Sequence, residues 1–247
     1  MQHIVIIGAT SAMAEHCARL WVQASPVHLT LVGRDAARTQ RVAGDLRVRS
    51  PQSKVQVMTA DFVNAAAIQH TVHTITAIAP VDVVLIAHGV LSDQATCQDD
   101  VLACDAALQV NGVSPVLFAE AFANPMVAAN HGTIAIIGSV AGDRGRKTNY
   151  VYGAAKGLVS RYAQGMQHRL AHTNVNVVLI KPGPTDTPMT SDLKAKGQKM
   201  ASVEQVAQDI VKGIAAGKPV VYTPGIWQII MLVVMHLPRV VFNKLNI

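Results

Sequence analysis

The chain has 247 residues, half of them apolar and 15% charged, with a formal charge of +6. That much apolar material provides a sizeable core and excludes a disordered chain. The basic excess gathers in Arg34, Arg38, Arg41, Arg47 and Arg49, without interleaved aromatics. Such a cluster suits a small phosphorylated ligand or a solvated helix face better than nucleic acid. Cys17, Cys97 and Cys104 form no CxxC pair, and their odd number argues against a disulfide framework, so a reducing, cytoplasmic setting is expected. Met1-Gln2-His3 leads straight into an apolar run without the basic flank and cleavage site of a signal peptide, so secretion is not expected.

Seven short β-branched runs read as strands: 4–7, 27–32, 54–58, 81–86, 133–137, 175–180 and 219–222. Between them the segments 13–24, 36–49, 64–78, 111–129, 151–172 and 202–216 carry apolar residues at a helical period. Strands that are apolar throughout, alternating with helices, predict a parallel sheet covered on both faces. No linker or repeat interrupts the pattern. We therefore expect one α/β domain over 1–225, followed by an apolar extension over 226–247. The stretches 138–150 and 182–200, rich in Gly, Pro, Asp, Thr and Lys, read as loops at the sheet's C-terminal edge, where such folds bind ligands.

Gly8 follows the first strand, and G-A-T-S-A-M-A opens the first helix. Gly8, Thr10, Ser11, Ala12 and Met13 would thus bring small residues, hydroxyls and free backbone N–H groups to a nucleotide's phosphates. A plain turn is the simpler reading. The second strand ends in Val32-Gly33-Arg34, with no acid at the position that would hold an adenosine ribose hydroxyl. Arg34, with Arg38 one turn on, could instead grip a 2′-phosphate, or both could be solvated. Asp61, beside Phe62 after the third strand, suits an adenine amino group or a helix N-cap.

The spacing from Ser139 to Tyr152 and on to Lys156 is the most specific feature. Tyr152 and Lys156 stand four apart on a helix and share a face. An ammonium near the phenol favours its ionised form and would let Tyr152 exchange a proton near neutrality, with Ser139 donating to a substrate oxygen. Tyr150 has Ala154 where a lysine would be needed and is assigned to the pocket wall or the loop surface.

With Y-G-A-A-K and its upstream serine in place, the sequence resembles the short-chain dehydrogenase/reductase family from Gly8 through the strand at 219–222. The resemblance implies a three-layer Rossmann-type fold with seven parallel strands and hydride transfer from nicotinamide. It also implies four catalytic positions: Asn111, Ser139, Tyr152 and Lys156. Lys156 would hold the nicotinamide ribose hydroxyls, and Asn111, otherwise read as a helix cap, would support a water relay. In K-P-G-P-T-D-T-P-M, Pro182, Gly183, Thr185 and Thr187 would hold the carboxamide, and Ala87 and Gly89 would line the cofactor. NADP(H) is the preferred cofactor and NAD(H) the second choice. A homodimer or homotetramer through the helices at 111–129 and 151–172 is implied as well.

Two departures stand out. Ala12 and Ala14 replace glycines of the family's loop, and Ile86-Ala87-His88-Gly89 replaces N-N-A-G. His88 is read as a packed histidine bonded to backbone. No His, Cys, Asp and Glu cluster has metal-ligand spacing, so no metal is expected. From Ile226 to Leu237 the tail is too short to span a bilayer. It could pack on the pocket or a second subunit, seat the protein peripherally on a membrane through Trp227, Arg239 and Lys244, or line a tunnel for a lipid-like substrate. With A-H-G-V and the first loop, this tail resembles a subgroup that includes the reductase of decaprenylphosphoryl-keto-ribose, a lipid-linked sugar. The leading expectation is a carbonyl reductase or alcohol dehydrogenase; the alternative is a non-catalytic NADP(H)-binding redox sensor.

Overall fold

The computed structural model describes residues 1–195 and 197–245. Seven strands, β1 (His3–Ile7), β2 (His28–Gly33), β3 (Lys54–Thr59), β4 (Val83–Ile86), β5 (Gly132–Ile137), β6 (Val175–Pro182) and β7 (Val220–Thr223), form one sheet in the order β3-β2-β1-β4-β5-β6-β7. Every neighbouring pair is parallel. Because successive side chains on a strand point to opposite faces, Ile4 and Ile6 of β1 enter one core while Val5 and Ile7 enter the other. Helices α1 (Ala12–Ala24) and α2 (Ala36–Arg49) cover the first face. Helix α3 (Ala65–Ile78) lies on the second.

The stretch after β4, which the sequence reading left unassigned, holds two short helices, α4 (Gln94–Asp99) and α5 (Val101–Leu108). The side chains of Asp93 and Asp100 cap them by accepting from Thr96 N and Leu102 N. The chain then passes through a π-helical turn, Gln109–Val113, into α6 (Ser114–Ala129), followed by α7 (Tyr150–Arg169). Phe118 and Phe122 of α6 and Val159 and Ala163 of α7 are fully buried against the second face. The expected loop at 182–200 is partly helical. A 3₁₀ turn at Pro188–Thr190 runs into α8 (Ser191–Ala195), because Thr187 and Thr190 make a reciprocal capping box. Helix α9 (Val203–Ala215) returns to the first face, burying Val206, Ala207, Ile210 and Ile214. The tail forms α10 (Ile226–His236) and α11 (Arg239–Phe242).

Strand order reverses at β1, so the chain leaves β1 and β4, side by side, toward opposite faces and opens a crevice at their C-terminal ends. The register brings Ile7 opposite both Val32 and Ile86, which levels Gly8, Gly33 and Ala87 along that edge.

Candidate functional site

At the crevice, Gly8 has φ +85°, a conformation that glycine adopts without strain. A Cβ there would also stand 2.6 Å from the backbone N of His88. The first loop and the end of β4 therefore touch directly. Ser11 is the N-cap of α1 but makes no side-chain capping bond, so the helix keeps unsatisfied N–H groups at Ala12 and Met13 facing the crevice end.

At the end of β2, Arg34 and Arg38 are exposed. The neighbouring Asp35 is committed to capping α2, its Oδ1 accepting from Arg38 N at 2.9 Å. The acid that follows Arg34 in the chain is thereby turned to a structural task. Asp61 also caps locally, accepting from Val63 N at 2.9 Å, while the N-cap of α3 is Asn64. Phe62 is buried, packed edge-on against the His88 and Phe118 rings, so its side chain belongs to the core.

His88 is packed, but its partner differs from expectation. Its Nε2 lies 2.8 Å from the Ser114 hydroxyl rather than a backbone group. Nδ1 has no partner, and burial, reinforced by the Lys156 and Arg34 charges, lowers its pKa to about 3. The imidazole is neutral at any ordinary pH.

The four catalytic candidates come from three parts of the chain: the π-helical turn, the end of β5 and helix α7. The π-helical turn carries Asn111, which is wholly buried. Its Oδ1 accepts from Val90 N and its Nδ2 donates to Ala107 O, both at 2.9 Å. Asn111 thus ties the segment after β4 to α5 instead of capping a helix. Gly89 lies against the Asn111 Oδ1, where a Cβ would stand 2.9 Å away, and close to the Lys156 ammonium. Lys156, on α7, is buried and donates to Ile137 O at 2.9 Å, at the end of β5. Burial lowers its pKa to about 8. Its Nζ is 5.8 Å from the Tyr152 ring centroid. Burial raises the Tyr152 pKa, and a hydrogen bond with the Ser139 side chain opposes that rise. The Lys156 ammonium, expected to favour the ionised phenol, lies on the same helix face, and burial is the largest influence on the phenol in this geometry. Ser139 also accepts from Ala141 N at 3.1 Å. Tyr150 is exposed, but it is the first residue of α7 rather than part of a loop.

Beyond β6, Thr185 donates to Gly183 O at 2.9 Å, and Thr187 pairs with Thr190. Pro182 is buried at the strand end. With α8, this segment encloses an open cleft of about 610 Å³ lined by Asp186, Thr187, Pro188, Ser191 and Lys194.

Sequence reasoning missed a buried network between these parts. Asp143, just after Ser139, pairs with Lys181, and its other oxygen accepts from Tyr222 Oη at 3.0 Å. Lys181 is the one charged residue of β6, next to its last residue, and a lone charge after the apolar run Val177–Ile180 was the available signal. Trp227 was also missed in this role: its indole lies directly on Gly183, where a Cβ would stand 2.0 Å from Nε1.

Comparison with known proteins agrees with this arrangement. Residues 2–198 match the family model for short chain dehydrogenase. An oxidoreductase of Streptomyces coelicolor, itself uncharacterized, is 27% identical over 98% of this chain and 95% of its own length. One from Mycobacterium tuberculosis, also uncharacterized, is 30% identical over 67% of this chain and 66% of its own. Among solved structures, a short-chain dehydrogenase from Sphingobium yanoikuyae in complex with NADPH superposes with a TM-score of 0.83 at 20% identity, covering 97% of both chains. The bulky-bulky ketone specific alcohol dehydrogenase of Comamonas testosteroni gives 0.78 at 20% identity over 97% of this chain and 96% of that one. With a parallel sheet, a crevice at its switch point and the Ser-Tyr-Lys set beside it, the chain is an oxidoreductase of the short-chain dehydrogenase family.

Proposed function

We propose that this chain is an NADP(H)-dependent reductase of ketones or aldehydes, or the corresponding alcohol dehydrogenase, with Tyr152 as its acid/base. The observation that carries the reading is the convergence of Ser139, Tyr152, buried Lys156 and buried Asn111 at the ends of β4 and β5. When bound, the nicotinamide supplies or accepts the hydride. Ser139 orients the substrate oxygen, and Tyr152 gives it a proton during reduction and takes one back during oxidation. Lys156, held by Ile137 O with a pKa of about 8, is a proton-exchanging group behind the phenol and a donor toward ribose hydroxyls. Asn111 positions the Gly89-Val90 backbone and supports the relay toward Lys156.

The residues present fit the phosphorylated cofactor. Gly8 and the open N-terminus of α1 offer N–H groups to the phosphates, with Thr10 and Ser11 beside them. Arg34 is exposed where a 2′-phosphate would come, and Asp35 is occupied by its capping bond. Ala87 and Gly89 would line the cofactor, and Pro182, Gly183, Thr185 and Thr187 would hold its carboxamide. NAD(H) is the weaker fit because Arg34, rather than an acid, follows the second strand. The sensor alternative rested on Ala12 and Ala14, and membership in an oxidoreductase family weighs against it. For substrate, the apolar tail beside the Pro182–Thr187 segment favours an apolar carbonyl compound, a lipid-linked sugar among them. A cytoplasmic enzyme organised as a domain over 1–225 with a 226–247 extension, and paired through α6 and α7, completes the reading. The α6/α7 face holds a groove containing exposed Leu158 beside the Glu120–Arg169 ion pair.

Tyr152→Phe tests the assignment: turnover of a carbonyl substrate should fall about 100- to 10,000-fold, while the thermal shift induced by NADPH is retained. Unchanged turnover would overturn the role of Tyr152. In the same assay Arg34→Ala should erase the preference for NADPH over NADH; equal weakening of both cofactors would remove Arg34 from 2′-phosphate recognition.

A further inference from the structure

Nine of the eighteen exposed large apolar side chains in the described residues fall between Ile226 and Leu245. Helix α10 is apolar on every side, yet Met231 is its only fully buried residue. Trp227, Met231 and Val234 form the inward stripe, at helical spacing, and Ile226, Ile229, Ile230 and Val233 form the outward one. An exposed patch of this kind marks a contact surface.

The patch is not a loose arm. Trp227 is seated on Gly183. At the other end Arg144 donates from Nη1 to Val234 O at 2.5 Å and to Leu237 O at 2.8 Å, and its guanidinium lies 3.7 Å from the Phe242 ring centroid. The body of the protein thus holds α10 and α11 with the apolar stripe outward, beside the segments that follow Ser139 and Pro182.

Charge selects the occupant. No Asp or Glu occurs after Asp209, whereas Lys212, Lys218, Arg239 and Lys244 do. Arg239 and Lys244 belong to the same short stretch as the exposed Val240, Val241 and Leu245. A second copy docked through this face about a twofold axis would bring two acid-free, basic surfaces together. An anionic bilayer surface answers both features, taking the apolar side chains into its interface and pairing the cations with headgroups. At eleven residues α10 is too short to span a bilayer of about 20 residues' thickness, so it would lie in the interface.

We propose that α10 and α11 dock the protein on an anionic lipid surface, with the mouth of the site between the Ser139 and Pro182 segments held at that surface. The docking stands on the tail alone. Its use, admitting an apolar carbonyl compound from the lipid phase, rests on the reductase reading.

The test is flotation of the full-length chain with vesicles of phosphatidylglycerol and phosphatidylcholine in equal parts, against phosphatidylcholine alone, at low and high salt. Stronger binding to the anionic vesicles, weakened by salt, is expected. Ile229→Ser with Val233→Ser should weaken it about tenfold or more, and Arg239→Gln with Lys244→Gln should remove the preference for anionic lipid by about tenfold. The NADPH thermal shift, measured on the same samples, reports folding and the cofactor site separately. A wild-type chain that binds NADPH but ignores the vesicles overturns the docking and leaves the reductase reading intact. So does a double serine variant that floats like wild type. If light scattering shows a larger assembly that the serine variant splits, without vesicle binding by wild type, a second copy covers the face and the proposal fails.

Discussion

The helical stretch Val101–Ala129 and helix α10 are both strongly apolar, and they meet opposite surroundings. The first has a mean hydropathy of 1.4 over its most apolar window and is long enough to cross a membrane by length and composition. In the fold it is interrupted by the π-helical turn and buries Phe118, Ala119, Phe122 and Ala123 completely. The second is less than half as long and leaves Ile229, Leu232 and Val233 more than half exposed. Hydropathy alone therefore reverses the two environments. What separates them is whether a second layer of secondary structure comes to lie over the apolar face, and only the topology supplies that.

Substitutions on the two helices put the contrast in numbers. Phe122→Ala should cost about 3–5 kcal/mol of stability, because its cavity is enclosed by α3 and β5 and cannot collapse fully. The counterpart on α10, Ile229→Ser, should stay within about 0.5 kcal/mol. Urea unfolding of both measures the difference, and similar losses would mean that α10 is covered in solution.

The buried helix also holds a titratable group in place. His88 lies against Phe118 with a folded pKa of about 3, below the ordinary 6.5. Between those values the unfolded chain binds the extra proton, so stability present above pH 6.5 is lost as pH falls, by up to about 1.4 kcal/mol per pH unit. Stability measured from pH 7 to 4.5 in wild type and His88→Gln should show that slope in the first and a flatter profile in the second. Parallel profiles would assign acid sensitivity elsewhere.

The smallest effect concerns how the exposed helix is held. Arg144→Ala removes the hydrogen bonds to the end of α10 and the contact with Phe242, at a cost of about 1–2 kcal/mol. Limited proteolysis should then cut first within 226–245. An unchanged cleavage pattern would show that Trp227 and Met231 suffice to hold the tail.

The strands were legible because both faces of a parallel sheet are covered, which makes the central ones, such as His3–Ile7 and Val83–Ile86, buried and apolar along nearly their whole length. Helices α4 and α5 were not legible, since each is short and set by the caps of Asp93 and Asp100 rather than by a long apolar period. In the site, Tyr152 and Lys156 lie on one helix, and helical spacing alone predicts their common face. The role of Asn111 in tying Val90 to Ala107, and its place in a π-helical turn, depends on tertiary contacts and left no local trace. Asp143 and Lys181 are separated by 38 residues and meet only because β5 and β6 are neighbours. Burial pushes the Tyr152 phenol up against the opposing Ser139 hydrogen bond, and burial is something a sequence does not state.

Asp143 and Arg144 are consecutive residues with opposite assignments: one reaches inward to Lys181 and Tyr222, the other outward to the end of α10. Surface connections generally accept extra residues at little cost. Here a single deleted residue between Ser139 and Asp143 would present the Arg144 cation to the buried lysine, and a single inserted one would present the Asp143 carboxylate to the carbonyls of the tail. The loop's length is consequently as constrained as its composition. Variation among descendants of this chain, or libraries built on it, should accumulate insertions around exposed Gly197 and leave the count from 139 to 144 untouched.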